Sequence, residues 1–274
     1  MRDEPASEVV TNSRLDTMGP HSGTLIVNAD DWGRDARTTD LILACVRHEA
    51  ISSASAMVYT EDAARGAELA RQHGVDTGLH LNLTMPFTAP NCPARLREEQ
   101  EKLGHFLGRY RLAPVVYRPG LAAAFEYVVK AQLEEYERLY GAPALRVDGH
   151  QHMHLCANVI LQRLLPAGTI VRRNFTFEAG EKGYFNRLYR RWQDRRLARQ
   201  HRMTDYFFDL LPMEPRRLER IRELARRHDV EVEAHVIFDD QFQFLMDGRL
   251  NQGAGGTPLA HGYILRGADT GNIP

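Results

Sequence analysis

The feature that most constrains this chain is a repeated order of short β-branched runs followed by amphipathic helical stretches. TLIVNA (24–29) is a brief apolar run suited to a strand buried on both faces. A helical pattern follows at about 38–49, then SASAMVY (53–59) as a second strand, and then a helix over 61–73 with Gly74 as its C-cap. TGLHLNLT (77–84) alternates with period two, placing Leu79, Leu81 and Leu83 on one face and His80, Asn82 and Thr84 on the other. Residues 85–120 read as a long, partly irregular insertion, and 121–140 as a long helix stopped by Gly141 and Pro143. ALRVDGHQHMHL (144–155) reads as extended, TIVRR (169–173) and VEVEAHV (230–236) as further strands, and Pro215 as the first residue of a helix. Strand-then-helix repetition predicts an α/β fold with a parallel sheet, either a barrel or an open doubly wound sheet, whose strand ends share one rim. Active sites collect at that rim. Residues 1–23 are expected to form a flexible arm, and 24–274 a single domain.

A formal net charge of -1 gives no global attraction to nucleic acid. No run of 18 apolar residues occurs, so no transmembrane span is expected. Cys45, Cys92 and Cys156 form no CxxC pair, which argues against a disulfide scaffold or a cysteine-zinc site and for a reducing, cytoplasmic setting. The sequence leaves the oligomeric state open, a homodimer included.

Four segments carry chemistry. Asp30 and Asp31 stand side by side directly after the first strand. Adjacent carboxylates repel, and a divalent cation relieves that cost. His80 points away from the leucine face of its strand, and neutral imidazole is the commonest metal ligand. Asp148-Gly149-His150-Gln151-His152-Met153-His154 sets three histidines at i, i+2 and i+4, all on one side if the segment is extended. Two histidines and one carboxylate with open positions make a catalytic metal site, but spacing alone does not choose among His150, His152 and His154. Asp148 is placed to hold the second ring nitrogen of a ligating histidine. In VEVEAHV, Glu231, Glu233 and His235 share the face opposite the valines, with His235 near the strand's C-terminal end.

TLIVNADDWG (24–33), SSASAMV (52–58), GLHLNLT (78–84) and VDGHQHMH (147–154) resemble the YdjC-like carbohydrate deacetylases, a group that includes chitooligosaccharide and hopanoid-biosynthesis-associated deacetylases. The resemblance implies a distorted or incomplete (β/α) barrel and removal of an acetyl group from an N-acetylated amino sugar, with one divalent ion, Mg2+ or Zn2+. It implies Asp31, His80 and His150 as metal ligands, Asp30 as catalytic base and His235 as catalytic acid, with His152 or His154 as the alternative acid. Asn28, Asn82, Asp148, His152, His154 and Arg172 are expected around the metal or against the substrate. Trp32 stands where the family usually has Phe, and Val236 where it often has Pro.

Residues 187–202 (RLYRRWQDRRLARQHR) carry seven arginines with Tyr189 and Trp192. A solvated helix face is the plain reading. The sharper one is a lip for an anionic or lipid-linked substrate, with peripheral membrane contact. Rival functions are another metal hydrolase on the same barrel (an O-deacetylase or amidohydrolase) and a non-catalytic sugar-binding protein. The tail 251–274 matches no pattern of the family.

Overall fold

The computed structural model describes residues 23–177, 180–250 and 258–265. The expected arm over 1–22 and most of the tail, 251–257 and 266–274, lie outside the described residues. The first half runs β1 (Thr24–Trp32), α1 (Ala36–Arg47), β2 (Ser53–Ala56), α2 (Ala63–His73), β3 (Thr77–Leu81), α3 (Ala94–Gly108), α4 (Ala122–Tyr140) and β4 (Arg146–Gly149). The second half runs α5 (Ala157–Gln162), β5 (Ile170–Val171), α6 (Tyr184–Leu197), β6 (Tyr206–Asp209), α7 (Pro215–Ala225), β7 (Asp229–Ala234) and α8 (Asp239–Met246).

The seven strands form one sheet in the order β5-β4-β3-β2-β1-β7-β6. Every strand pair in it is parallel. Short contacts join the two edges, among them an Ile170–Arg202 bridge and a Thr176 N–H donating to the Phe207 carbonyl at 2.8 Å. The fold is therefore an incomplete (β/α) barrel, as the resemblance implied.

Local chemistry sets the helix ends. The Asp35 carboxylate accepts the Thr38 N–H at 2.8 Å and caps α1. Gly74 ends α2 and Gly141 ends α4, both in the left-handed region with φ of 62° and 78°. Pro215 opens α7, where its missing N–H costs nothing.

The two faces of the curled sheet differ. Outward residues such as Leu25, Val27, Leu79, Val147, Val230 and Val232 pack with the helices in the main apolar core. Inward residues are layered. Ile26, Tyr263 and Leu265 make a small apolar floor, with Ile170 against it. Above the floor lie Asn28, Ser55, Arg146, Asp148, Arg172, Glu231 and Glu233, all buried. Such groups are tolerated inside only when paired and hydrogen-bonded.

Three expectations need correction. The first strand does not stop at Ala29 but runs through Asp30 and Asp31 to Trp32. Residues 150–155 are not extended: they form a 3-10 turn in which Gln151 and His152 have φ of 52° and 58°. The 85–120 insertion contains the regular helix α3. β6, with its aromatic YFFD run, is a strand beyond those expected.

Candidate metal centre and acid–base cluster

Asp30 and Asp31 would point to opposite sides of a regular strand. The pairing register between β1 and β2 shifts between Ala29 and Trp32, and Asp31 has φ of 74°. This bulge turns both carboxylates toward the same rim. Positive φ at Asp31, Gln151 and His152 is strain held by the surrounding structure, of a kind concentrated at functional sites.

One ligand atom from each of Asp31, His80 and His150 falls within 4.8 Å of the other two. His80 Nε2 lies 3.4 Å, and His150 Nδ1 3.1 Å, from Asp31 Oδ1. Behind His80, Asp148 Oδ1 meets Nδ1 at 2.8 Å, because His80 and Asp148 are direct neighbours across β3 and β4. That contact favours a proton on Nδ1 and leaves Nε2 facing Asp31. Asp31 Oδ2 takes Arg34 at 3.1 Å.

Asp30 sits beside this triad under heavy restraint. Arg172 donates to both of its oxygens, at 2.7 and 2.8 Å, and Asn28 Nδ2 donates to Oδ1 at 2.8 Å. Burial alone would raise the Asp30 pKa, but Arg172 and His80 together hold it below the ordinary carboxylate range. A carboxylate offers about four acceptor sites, so one on Oδ2 is left for a substrate proton.

Arg172 also reaches Glu231 at 2.7 Å, Glu233 at 3.1 Å and Asp148 at 3.1 Å. Burial pushes the Glu233 pKa up to about 8, against the pull of Arg172, so Glu233 carries a proton at neutral pH. His152 Nε2 lies 3.5 Å from Glu233 Oε1, and burial lowers its pKa to about 4, so its ring is neutral.

The expected residues divide as follows. Asp31, His80 and His150 converge, with Asp30, Asp148, Asn28 and Arg172 packed directly around them. His152 faces Glu233 and Phe175 instead of the triad. His154 turns into the interior, where Nε2 meets the Arg172 carbonyl at 2.9 Å. Asn82 organises a turn, accepting the Met85 N–H at 2.9 Å and donating to the Met85 carbonyl, and takes no part in the site. His235 stands just past β7, with its ring toward Phe238. Arg146 and Arg34 were not singled out from sequence, and Glu233 was placed on the face of His235 without a role. For Glu233 the alternation of VEVEAHV held the signal, since it shares a face with His235.

The electrostatics suit a divalent cation. Five carboxylates (Asp30, Asp31, Asp148, Glu231, Glu233) meet two buried guanidiniums, those of Arg146 and Arg172. The carboxylates outnumber these guanidiniums, so the cluster has an excess of acidic groups. Burial would lower the His80 pKa, yet Asp30, Asp148 and Asp31 lift it to about 10. The site draws positive charge, and a cation on Nε2 can take the place of that proton.

The model of the YdjC-like protein family matches residues 24–251. The chain belongs to the YdjC-like family. This YdjC-like chain is 36% identical over 143 residues to a carbohydrate deacetylase of Mus musculus, covering 49% of the chain and 44% of that relative. It is 33% identical over 132 residues to a chitooligosaccharide deacetylase of Serratia marcescens, covering 48% and 50% respectively. The aligned part thus spans about half the length of these relatives. A solved Enterococcus faecalis structure, of a protein named for cellobiose-phosphate cleavage, superposes with a TM-score of 0.55 at 15% identity over 84% of this YdjC-like chain and 92% of that one. At that identity the likeness concerns the fold alone.

Proposed function

We propose that this chain, with residues 24–274 acting as one catalytic unit, is a divalent-metal-dependent carbohydrate deacetylase that hydrolyses the acetamide of an N-acetylated amino sugar. The observation that carries the reading is the convergence of Asp31, His80 and His150 with a restrained carboxylate, Asp30, beside them. The named relatives act on carbohydrate acetyl groups, which favours the same substrate class here. A donor set of two imidazoles and one carboxylate suits Zn2+ and also Mg2+ completed by water. A reducing compartment such as the cytoplasm suits three buried free thiols.

Asp31, His80 and His150 would hold the ion. When bound, it supplies positive charge that polarises the acetyl carbonyl and acidifies water. Asp30 Oδ2 accepts the proton of the attacking water, and Arg172 keeps that carboxylate ionised and aimed. Asp148 holds the His80 ring in place. The departing amine needs a proton. Glu233 stores one at neutral pH, and His152, with its ring 29% exposed, is its contact toward the surface. His235, at the end of the same strand, is the alternative donor.

Acetate release decides the matter. Metal-stripped protein should release none from N-acetylated chitooligosaccharides, and Zn2+ or Mg2+ should restore release. O-acetylated sugars run in parallel separate the amide from the ester reading. Undiminished release by stripped protein, or by Asp31→Ala, would refute the metal-dependent assignment.

A further inference from the structure

We propose that the outer face of α6 is a docking surface for an anionic lipid bilayer. This goes beyond the deacetylase reading and does not depend on it.

α6 exposes large apolar side chains that a helix on a soluble barrel normally buries. Relative exposure is 74% at Tyr184, 83% at Phe185, 50% at Leu188 and 43% at Trp192. At 100° per residue these four fall within one sector of the helix, and exposed Arg191 and Arg195 lie in the same sector. The side toward the barrel holds Gln193 and Leu197. Arg191, Arg195 and Arg199 make no ion pair with a carboxylate among the described residues. The one acidic residue of α6, Asp194, is occupied by Asn174 and Arg173.

Past the end of the helix the positive charge continues into a cavity of about 210 Å³. Arg163, Arg196, Arg199 and His201 line it over an apolar floor of Val159 and Leu197. Guanidiniums over an apolar floor suit a phosphate joined to a hydrocarbon body. Aromatic and leucine side chains interleaved with arginine on one helix face are the pattern of a helix lying in a membrane interface, where apolar groups enter the acyl boundary and arginines meet lipid phosphates.

Charge complementarity selects this occupant. A second copy of the chain would set unpaired arginines against arginines across a symmetric contact. A nucleic acid would satisfy the arginines but leave Phe185 and Leu188 in water. α6 follows β5, so its aromatic N-terminal end lies on the rim side that carries the metal ligands. Docking on this face therefore lays the flank of the barrel against the bilayer, with the aromatic end of α6 toward that rim.

The test uses the full chain with vesicles of phosphatidylcholine alone and of phosphatidylcholine mixed with phosphatidylglycerol. Sedimentation with the mixed vesicles at low salt is expected, little with the neutral ones, and release as salt rises. Trp32 is fully buried, so a blue shift of tryptophan fluorescence on binding reports Trp192. The double substitution R191E/R195E should weaken partitioning at least about thirtyfold, since losing the two basic residues alone costs roughly 1 kcal/mol each at an anionic surface and the new carboxylates add repulsion. F185S/L188S should weaken it while keeping the reporter, and W192F should abolish the spectral shift. Failure to sediment with mixed vesicles at low salt would overturn the proposal. So would binding indifferent to R191E/R195E, or a stable dimer in solution dispersed by F185S/L188S. None of these readouts involves acetate release, so the deacetylase assignment stands or falls separately.

Discussion

At the scale of single residues, the two adjacent aspartates are separated by their partners. Asp31 faces His80 and His150, whereas Asp30 is gripped by Arg172 and Asn28. Asp30→Asn is expected to keep bound metal by elemental analysis and to lose about 10²–10⁴ in turnover, the usual worth of a general base. Asp31→Ala should lose the metal itself. Glu233 loses its proton as pH rises through about 8. Deacetylation should therefore fall above that pH, and Glu233→Gln should lower turnover while flattening the alkaline limb. A pH–rate profile checks both, and an unchanged limb would move the acid role to His235. Much of this was readable beforehand, because acidic pairs and histidine clusters are rare enough to stand out. The roles of Glu233 and Arg34 were not. Their meaning depends on Arg172 and Asp31, distant in sequence or turned by a bulge.

At the scale of elements, two local irregularities build the site. The β1 bulge brings consecutive carboxylates to one rim. The turn after β4 sends His150 to Asp31, His152 to Glu233 and His154 into the interior. Gly149 permits that turn, since a Cβ there would come within 2.9 Å of the His154 backbone nitrogen and of its Nδ1. Gly149→Ala should destabilise the protein by about 1–3 kcal/mol, as overpacking does. It should also weaken metal affinity by displacing His150, measurable by denaturation and metal titration. Period-two alternation would have put all three histidines on one side. The left-handed residues Gln151 and His152 break that alternation, and no residue type at those positions announces it.

At the scale of the whole molecule, the barrel interior is a charged network standing on an apolar floor. The tail residues 258–265, beyond the family match, complete that floor. The Tyr263 hydroxyl donates to Glu231 at 2.6 Å, and the Arg146 guanidinium lies 4.4 Å from the centre of its ring. Glu231 in turn holds Arg172, and Arg172 holds Asp30. Tyr263→Phe leaves a buried carboxylate oxygen without its donor and should cost about 1–3 kcal/mol in chemical denaturation. A stability matching the wild type would show that this tail contact contributes little. Gly78 serves the same interior: a Cβ there would come 2.8 Å from the Arg146 guanidinium carbon.

The sequence by itself determined the α/β class, the parallel strands and the identity of the acidic and histidine residues at the rim. Alternation and composition act over a few neighbouring residues, and those patterns are local. The curl that makes an incomplete barrel of the sheet was settled only by tertiary structure. So were the bulge that turns Asp30 and Asp31 toward one rim and the burial of Glu233 beside Arg172. Each of these depends on residues far apart in the chain meeting in a low-dielectric interior. There Arg172 can answer four carboxylates at once, and burial can move a pKa by several units.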